Sequence, residues 1–275
     1  MGLDVDAYLE RIGYREPPRP SAETLHALHV AHTFSVPFEN LDVHLGRTIA
    51  LEPDALFDKI VRRRRGGYCF ELNGLFALLL EALGFTAHRL MARVRGEAAG
   101  PSPRSHQVLL VECGGESWLA DVGFGGRGLI APLPLRPVDE AVQYADRFRL
   151  ARRPSSNRET FLLQSALKGA WRDLYEFSLE RFEPVDYIFA NYYHSHAPES
   201  LFTQHVICTK PTPDGRVTLT DRDLTIRTAQ TRRRHTVADP DEFRTVLHLH
   251  FGIEADDLAA CFSRAAARGG TPLGA

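Results

Sequence analysis

A glycine pair, Gly114 and Gly115, separates two runs of alternating apolar residues, "SHQVLLVEC" and "ESWLADVGF". Adjacent glycines supply the positive backbone dihedral angles that a two-residue hairpin turn requires. The pair therefore predicts an antiparallel hairpin in which Val108 faces Asp121. Because side chains alternate along a strand, His106 shares the face of Val108 and lies diagonal to Asp121. A slip of one residue in the register would turn Asp121 to the opposite face.

The hairpin brings an imidazole next to a carboxylate. Taken alone, His106 is typical of a solvated or hydrogen-bonded histidine at a strand end. Asp121, however, follows the apolar residues "WLA" in a predicted inner strand, where it needs a partner to offset its desolvation. Among the 12 histidines of the chain, only His106 receives an acidic neighbour from so explicit a turn signal. The pattern therefore favours a His106 and Asp121 pair.

The clearest helical pattern follows Cys69 in "RGGYCFELNG". Apolar residues then recur at spacings of three and four until Gly84: Leu72, Leu75, Phe76, Leu79, Leu80 and Leu83. At the start of a helix, unpaired N–H groups and the helix dipole favour a thiolate. The glycines at 66 and 67 remove side-chain bulk and permit a tight turn. The stretch suits a nucleophile, and it suits a buried structural cysteine equally well.

The chain order is Cys69, His106, Asp121, with the thiol on a helix and the other two groups on a sheet. A Cys–His pair needs a third group that holds the tautomer of the imidazole. Such a set points to covalent acyl transfer through a thioester, and it leaves the donor and the acceptor open. The remaining cysteines show no CxxC spacing, so we expect free thiols and no metal site. These cysteines are Cys113, Cys208 and Cys261.

Three zones follow one another along the chain. Residues up to 85 are helical in pattern, residues 86–183 have the short strands of an antiparallel sheet or small barrel, and residues 184–275 mix both. Lys plus Arg (33) nearly balance Asp plus Glu (35), so no overall field would attract nucleic acid or an anionic membrane. The N-terminus lacks the pattern of a signal peptide, and no apolar run approaches ~18 residues. We therefore expect a cytoplasmic protein with a small-molecule partner.

Four segments, in order and spacing, resemble the arylamine N-acetyltransferases: "VPFENLDVHLG", "RRGGYCFELNGLF", "SHQVLLV" and "WLADVGFGGRGLIAPLPL". The resemblance is strong from about residue 34 to 134 and weak afterwards, where only "SLFTQHVICT" matches. It implies an α+β fold with a helical bundle (1–85), an antiparallel β-barrel (86–183) and a C-terminal α/β lid (184–275). It also implies a Cys-His-Asp triad like that of the cysteine proteases.

The resemblance further implies ping-pong transfer from acetyl-CoA to an aromatic amine, hydrazine or hydroxylamine, without a metal. Cys69 would be the acetylated nucleophile, His106 its base and Asp121 the orienting acid. Because the lid departs from the family pattern, we assign no coenzyme contacts after residue 184, and the acyl-chain preference stays open.

The same resemblance implies binding residues around the triad. Three aromatic residues fall where the family lines its acceptor pocket, although each is just as typical of a core: Phe38, Phe124 and Phe202. In "GFGGRG", backbone N–H groups would cradle the phosphates of the coenzyme, whereas a barrel turn is the simpler interpretation. The glycines concerned are Gly125, Gly126 and Gly128. The arginine run at 62–65 is a candidate pyrophosphate site, but we expect 62–64 to be solvated and Arg65 to pair with an acid such as Glu39.

Other functions fit the same residues. An amide synthase that closes a macrolactam would use the same triad on the same scaffold, and its genomic neighbourhood would distinguish it. A cysteine hydrolase has the same Cys-His-acid arrangement but would use water as the acceptor of the acyl group. A non-catalytic binding module would show no single fast-reacting thiol.

Overall fold

The computed structural model describes residues 2–96, 100, 102–154, 159–254 and 257–266. Its first part is helical and contains one short strand, β1 (Phe38–Glu39). The helices are α1 (Val5–Ile12), α2 (Ala22–Ser35), α3 (Leu41–His44), α4 (Pro53–Phe57) and α5 (Cys69–Ala82). A π-helical turn, Asp58–Arg62, continues α4.

Local sequence signals set the bounds of these helices. The Ser21 hydroxyl accepts a hydrogen bond from the backbone N–H of Thr24 at the start of α2, as expected of an N-cap. Gly84, with φ of +85°, follows α5 where the helical pattern stops. The apolar stripe of α5 packs in one core with α1 and α2. Five of its six residues are fully buried: Leu72, Leu75, Phe76, Leu79 and Leu80.

An eight-stranded antiparallel sheet follows, in the order β5-β4-β3-β2-β9-β8-β7-β6. Its strands are β2 (Thr86–Val94), β3 (Arg104–Cys113), β4 (Glu116–Ala120), β5 (Leu133–Pro134), β6 (Val138–Gln143), β7 (Asp146–Pro154), β8 (Glu159–Leu167) and β9 (Ala170–Arg181). The predicted hairpin joins β3 to β4, and its register is confirmed by the pairing of Cys113 with Glu116 and of Leu109 with Ala120.

The sheet curls into a nearly closed barrel. The side chain of Gln143, at the end of β6, links the two edges of the sheet. It accepts hydrogen bonds from the backbone N–H groups of Ile130 and Ala131 and donates one to the carbonyl oxygen of Ala131. These contacts lie just before β5, so they satisfy backbone groups where the two edges face each other. A separate apolar core, with Val108, Phe148 and Tyr175 among its members, packs between the strands.

The last part combines a second sheet with helices. These elements are α6 (Ile188–His196), α7 (Leu201–Gln204), β10 (Ile207–Thr212), β11 (Gly215–Thr220), β12 (Asp223–Thr228), β13 (Arg232–Thr236), α8 (Pro240–Val246) and α9 (Leu258–Ala266). The sheet order is β1-β10-β11-β12-β13. Because β1 of the helical part pairs with β10, the first and last parts share a sheet. None of the helices among the described residues has the length and apolar character needed to traverse a bilayer.

A buried network of charges lies between α3 and α5. The Arg65 guanidinium contacts Glu39 at 2.8 Å and Asp42 at 3.3 Å, which confirms the predicted pairing of Arg65 with Glu39. The Lys59 ammonium contacts Asp42 at 2.8 Å and Glu71 at 2.7 Å. Burial lowers the pKa of Lys59, but Glu71 and its other acidic neighbours outweigh burial and raise it. The cations therefore stay charged and compensate buried carboxylates.

Replacing Arg65 should strongly destabilise the protein. Arg65→Met leaves the fully buried Glu39 carboxylate without its cation, and breaking a buried pair costs about 3–5 kcal/mol. The free energy of unfolding, measured in urea, should fall by that amount. Arg63→Met is the matched control, because Arg63 is exposed and pairs at the surface with Asp58, and such pairs contribute about 0–1 kcal/mol. Equal losses in the two variants would contradict a structural role for the network.

Candidate active site

Cys69 is the first residue of α5 and lies almost wholly buried, with 4% of its surface exposed. The preceding residue, Tyr68, donates its backbone N–H to the Glu71 carboxylate at 3.0 Å, which satisfies one of the unpaired donors at the helix start. The thiol lies 3.9 Å from the carbonyl oxygen of Ser105 in β3. The helix start thus meets the barrel at the thiol.

His106 and Asp121 form the pair that the hairpin predicts. Nε2 of His106 lies 2.8 Å from Oδ2 of Asp121, and both side chains are buried. Burial lowers the pKa of His106, but the charge and hydrogen bond of Asp121 and a hydrogen bond with Cys69 outweigh it and raise the pKa to about 10. The imidazole is therefore protonated at neutral pH. Since Nε2 is bound to Asp121, Nδ1 is the nitrogen left for the thiol.

The Asp121 carboxylate is held by more than the imidazole. Its Oδ1 accepts from the side-chain amide of Asn73 at 2.9 Å and from the backbone N–H of Gly123 at 3.0 Å. Burial raises the pKa of Asp121, yet His106 and these donors outweigh burial and lower it. Asn73 also donates to the Gln107 carbonyl. Asn73 was not among the predicted site residues, although its position one turn after Cys69 on α5 was an available signal.

A second histidine, His29 of α2, orients the backbone of Asp121. Its Nε2 accepts from the Asp121 N–H at 3.1 Å, and its Nδ1 donates to the Ile130 carbonyl at 2.9 Å. Burial lowers the pKa of His29 to about 4. The ring is therefore neutral and held in one tautomer. No local sequence signal links His29 to the hairpin.

The three predicted aromatic residues meet at one cavity of about 520 Å³, together with Cys69 and His106. The Phe124 ring packs edge to face on His106, with ring centroids 5.1 Å apart. Phe38 and Phe202 lie 5.8 Å apart, centroid to centroid. This volume is within the range of small-molecule sites, about 300–1,000 Å³.

The predicted glycines lie beside this cavity. Gly126 lines it, whereas Gly125 and Gly128 line a smaller space behind Phe124. Gly125 has φ of +69°, and a Cβ there would lie 2.7 Å from the Phe38 ring. The Gly128 N–H donates to the Gly125 carbonyl at 2.7 Å, so that donor is engaged within the turn. Gly125 and Gly128 therefore have a packing role, and the contact of the three glycines with a coenzyme stays a prediction.

His194 of α6 also reaches the cavity and was not predicted from the sequence. Its Nε2 lies 2.7 Å from the same Ser105 carbonyl oxygen that the Cys69 thiol approaches. It lies 88 positions after His106 in a zone whose fold the sequence pattern did not define. Among the described residues, no group of three or more His, Cys, Asp or Glu side chains is arranged to hold a metal ion.

Similarity to known proteins first identifies the class of enzyme to which this chain belongs. The profile of an N-acetyltransferase family matches residues 21–259. Two curated relatives extend this match. The arylamine N-acetyltransferase / N-hydroxyarylamine O-acetyltransferase of Salmonella typhimurium is 37% identical over 94% of this chain and 92% of its own length. The arylamine N-acetyltransferase of Mycolicibacterium smegmatis is 37% identical over 94% of this chain and 95% of its own length. The chain is thus an acyltransferase.

Solved structures agree with the relatives. The arylamine N-acetyltransferase structure from Salmonella typhimurium superposes with a TM-score of 0.90 at 35% identity, covering 97% of this chain and 100% of that one. The Mycobacterium marinum enzyme in complex with CoA gives a TM-score of 0.85 at 33% identity, covering 96% and 98%. The chain belongs to the arylamine N-acetyltransferase family. The resemblance seen in the motifs is confirmed, and the similarity extends well beyond the motif region.

The four thiols should differ sharply in reactivity. Burial raises the pKa of Cys113, of Cys208 and of Cys261, the last to about 12, whereas Cys69 opens on the cavity beside a protonated imidazole. Limiting iodoacetamide at pH 7 should therefore label Cys69 first. Peptide mass spectrometry checks the site, and Cys69→Ala should remove the fast phase. Comparable labelling of two or more cysteines would count against an activated thiol.

His29 should make stability depend on pH. In the unfolded chain His29 binds a proton as the pH falls below about 6.5, but in the folded chain it binds one only near pH 4. Stability from this group is thus present above pH 6.5 and lost as pH falls towards 4, by about 3 kcal/mol. Urea unfolding at pH 7 and pH 4 measures the loss, which should shrink by that amount in His29→Gln. His26→Gln changes an exposed histidine of the same helix and should keep most of the loss, because burial lowers the pKa of His29 more than His26 does. An unchanged loss in His29→Gln would refute the assignment.

Proposed function

We propose that this enzyme moves an acetyl group from acetyl-CoA to an arylamine, an arylhydrazine or an N-hydroxyarylamine, through a thioester on Cys69. The observation that carries the proposal is the His106 imidazole, which is bound to Asp121 on one side and contacts the Cys69 thiol on the other, at the wall of a cavity. The names of the similar proteins, and the CoA bound in one of them, support the choice of donor and acceptor.

The first half-reaction acetylates the enzyme. The Cys69 sulfur, paired with the protonated His106, attacks the carbonyl carbon of acetyl-CoA. The bond from that carbon to the coenzyme sulfur breaks, and the departing thiolate takes the proton from Nδ1 of His106. The imidazole is then neutral, and Asp121 keeps its orientation throughout.

The second half-reaction returns the enzyme to its starting state. The nitrogen of the acceptor attacks the thioester carbon, and the carbon–sulfur bond breaks. His106, now neutral, takes the proton that the nitrogen loses, so the thiolate and the imidazolium are restored. An aromatic amine is weakly basic and therefore unprotonated at neutral pH. An aliphatic amine is mostly protonated and should be a poor acceptor.

We propose a division of labour along the chain. Residues 1–85 supply the thiol, residues 86–183 supply the imidazole and the carboxylate, and residues 184–275 act as a lid over the cavity. The origin of the cavity lining supports this division, since Phe38, Phe124 and Phe202 each come from a different zone. We propose that these aromatic faces hold the ring of the acceptor. Of the three glycines, Gly126 borders the cavity and is our candidate for a backbone contact to the coenzyme.

A covalent intermediate predicts a distinctive kinetic pattern. Initial rates plotted reciprocally against acetyl-CoA, at several arylamine concentrations, should give parallel lines. Intact-mass analysis after mixing with acetyl-CoA alone should show one acetyl group, absent in Cys69→Ala. Intersecting lines together with no adduct would indicate direct transfer. An adduct that water removes as fast as any amine would indicate a hydrolase.

Changes to the imidazole and the carboxylate should slow acetylation of the enzyme. His106→Gln removes the group that pairs with the thiolate and moves its proton, and Asp121→Asn can present an N–H to the imidazole and stabilise the wrong tautomer. We expect each variant to lose at least about a hundredfold in the acetylation rate, measured in a single turnover. His26→Gln, an exposed change on α2, is the control. A loss smaller than tenfold in both variants would argue against the proposed roles.

A further inference from the structure

A second imidazole lies near the Cys69 thiol and has no role in the two half-reactions. His194 projects from α6, and its Nε2 lies 2.7 Å from the carbonyl oxygen of Ser105. The Cys69 sulfur lies 3.9 Å from that same oxygen. Both side chains line the cavity of about 520 Å³. Because the thiol and the second imidazole share one carbonyl contact, anything bound at the thiol is a neighbour of His194.

The surroundings of His194 keep its ring fixed and neutral. Four aromatic rings pack on it, with centroid distances of 6.1 Å to Tyr68, 5.7 Å to Phe70, 6.0 Å to Tyr193 and 5.0 Å to Phe202. Burial lowers the pKa of His194, and although the bond to Ser105 opposes this, the nearby His106 adds to the lowering. No carboxylate contacts the ring among the described residues. The ring therefore carries a single proton at neutral pH.

The position of that proton follows from the contact with Ser105. A carbonyl oxygen only accepts hydrogen bonds, so Nε2 must be the N–H and Nδ1 must carry the lone pair. Within the described part of the chain, Nδ1 has no hydrogen-bond partner, and it is not one of the fully buried polar atoms that lack one. Nδ1 is thus an open acceptor beside the cavity, set among aromatic rings.

We propose that Nδ1 of His194 accepts a hydrogen bond from the acceptor substrate and selects aromatic acceptors that carry a second donor on the ring, such as a hydroxyl group. In a mostly apolar pocket, a few polar groups fix the orientation of the ligand and provide its specificity. Of the rings around His194, those of Tyr193 and Phe202 line the cavity and offer faces for a planar ring, and Nδ1 offers the acceptor at its edge. This inference rests on the proposed function, because it concerns the same cavity.

The coenzyme is a second possible source of such a donor, since its pantetheine arm carries amide N–H groups. The two sources act in different half-reactions. A hydrogen bond to the coenzyme would affect acetylation of Cys69, whereas a hydrogen bond to the acceptor would affect only the removal of the acetyl group. Measuring the half-reactions separately therefore distinguishes them.

The test compares His194→Leu with His194→Gln. Leucine removes both nitrogens, whereas the amide of glutamine can keep both a donor for the Ser105 carbonyl and, in its oxygen, an acceptor near the place of Nδ1. The acceptors are the three ring isomers of aminophenol, each paired with its methyl ether, which cannot donate from the ring oxygen. For the isomer that the wild-type enzyme prefers most over its ether, the ratio of the two kcat/KM values should fall about fivefold to tenfold in His194→Leu and recover at least in part in His194→Gln. Acetylation of Cys69 by acetyl-CoA should change less than twofold.

Three results would overturn the inference. One is a wild-type enzyme that prefers none of the phenols over its ether. Another is a ratio that falls in neither variant while acetylation of Cys69 is also unchanged, since His194 would then have no part in selecting the acceptor. The third is slower acetylation by acetyl-CoA with unchanged ratios, which would assign Nδ1 to the coenzyme.

Failure of the proposed function would look different, because the wild-type enzyme would then form no acetyl adduct. In that case the phenol preference remains measurable without turnover. Calorimetry with Cys69→Ala should show weaker binding of the preferred phenol when His194→Leu is added, and no change for its ether. Equal changes for phenol and ether would overturn the inference by this route as well.

Discussion

The buried carboxylate of Asp121 connects the helical part of the protein to the barrel. Its Oδ2 binds His106, its Oδ1 accepts from Asn73 of α5, and its backbone N–H donates to His29 of α2. A buried charge is tolerated only when its hydrogen bonds are complete. A shift of either helix against the hairpin would therefore break one of these hydrogen bonds and leave a buried polar group without its partner. The hydrogen bonds that satisfy Asp121 therefore also fix the distance between the imidazole and the thiol.

The first turns of α5 serve both the reaction and the fold. Cys69 begins the helix, and Asn73, one turn later, reaches the carboxylate. Glu71 lies between them in the sequence, and its side chain forms an ion pair with Lys59 in the buried charge network instead of contacting Asp121. The loop after β4 approaches so closely that a Cβ at Gly123 would lie 2.9 Å from the Cα of Cys69. Only glycine permits that approach, so the loop that fixes Asp121 also closes on the thiol.

Two imidazoles border the same cavity in opposite protonation states. His106 has a carboxylate partner, which raises its pKa and keeps it charged. His194 has only a carbonyl partner, so burial dominates and keeps it neutral. Each ring thus offers the thiol region something different, a proton in one case and a lone pair in the other. The contrast follows from the partner of each ring, because only His106 has a carboxylate that opposes the effect of burial.

The sequence by itself determined the features that depend on neighbouring residues. The spacing of apolar residues defined α5 and placed Cys69 at its start, and the glycine pair set the hairpin register that joins His106 to Asp121. The sequence did not reveal that β1 pairs with β10, that His29 and Asn73 converge on Asp121, or that His194 reaches Ser105. Those contacts join segments dozens of residues apart. Periodicity and turn chemistry report only which face of an element is apolar and where the chain reverses, whereas the choice of partner for that face depends on how all the elements pack at once.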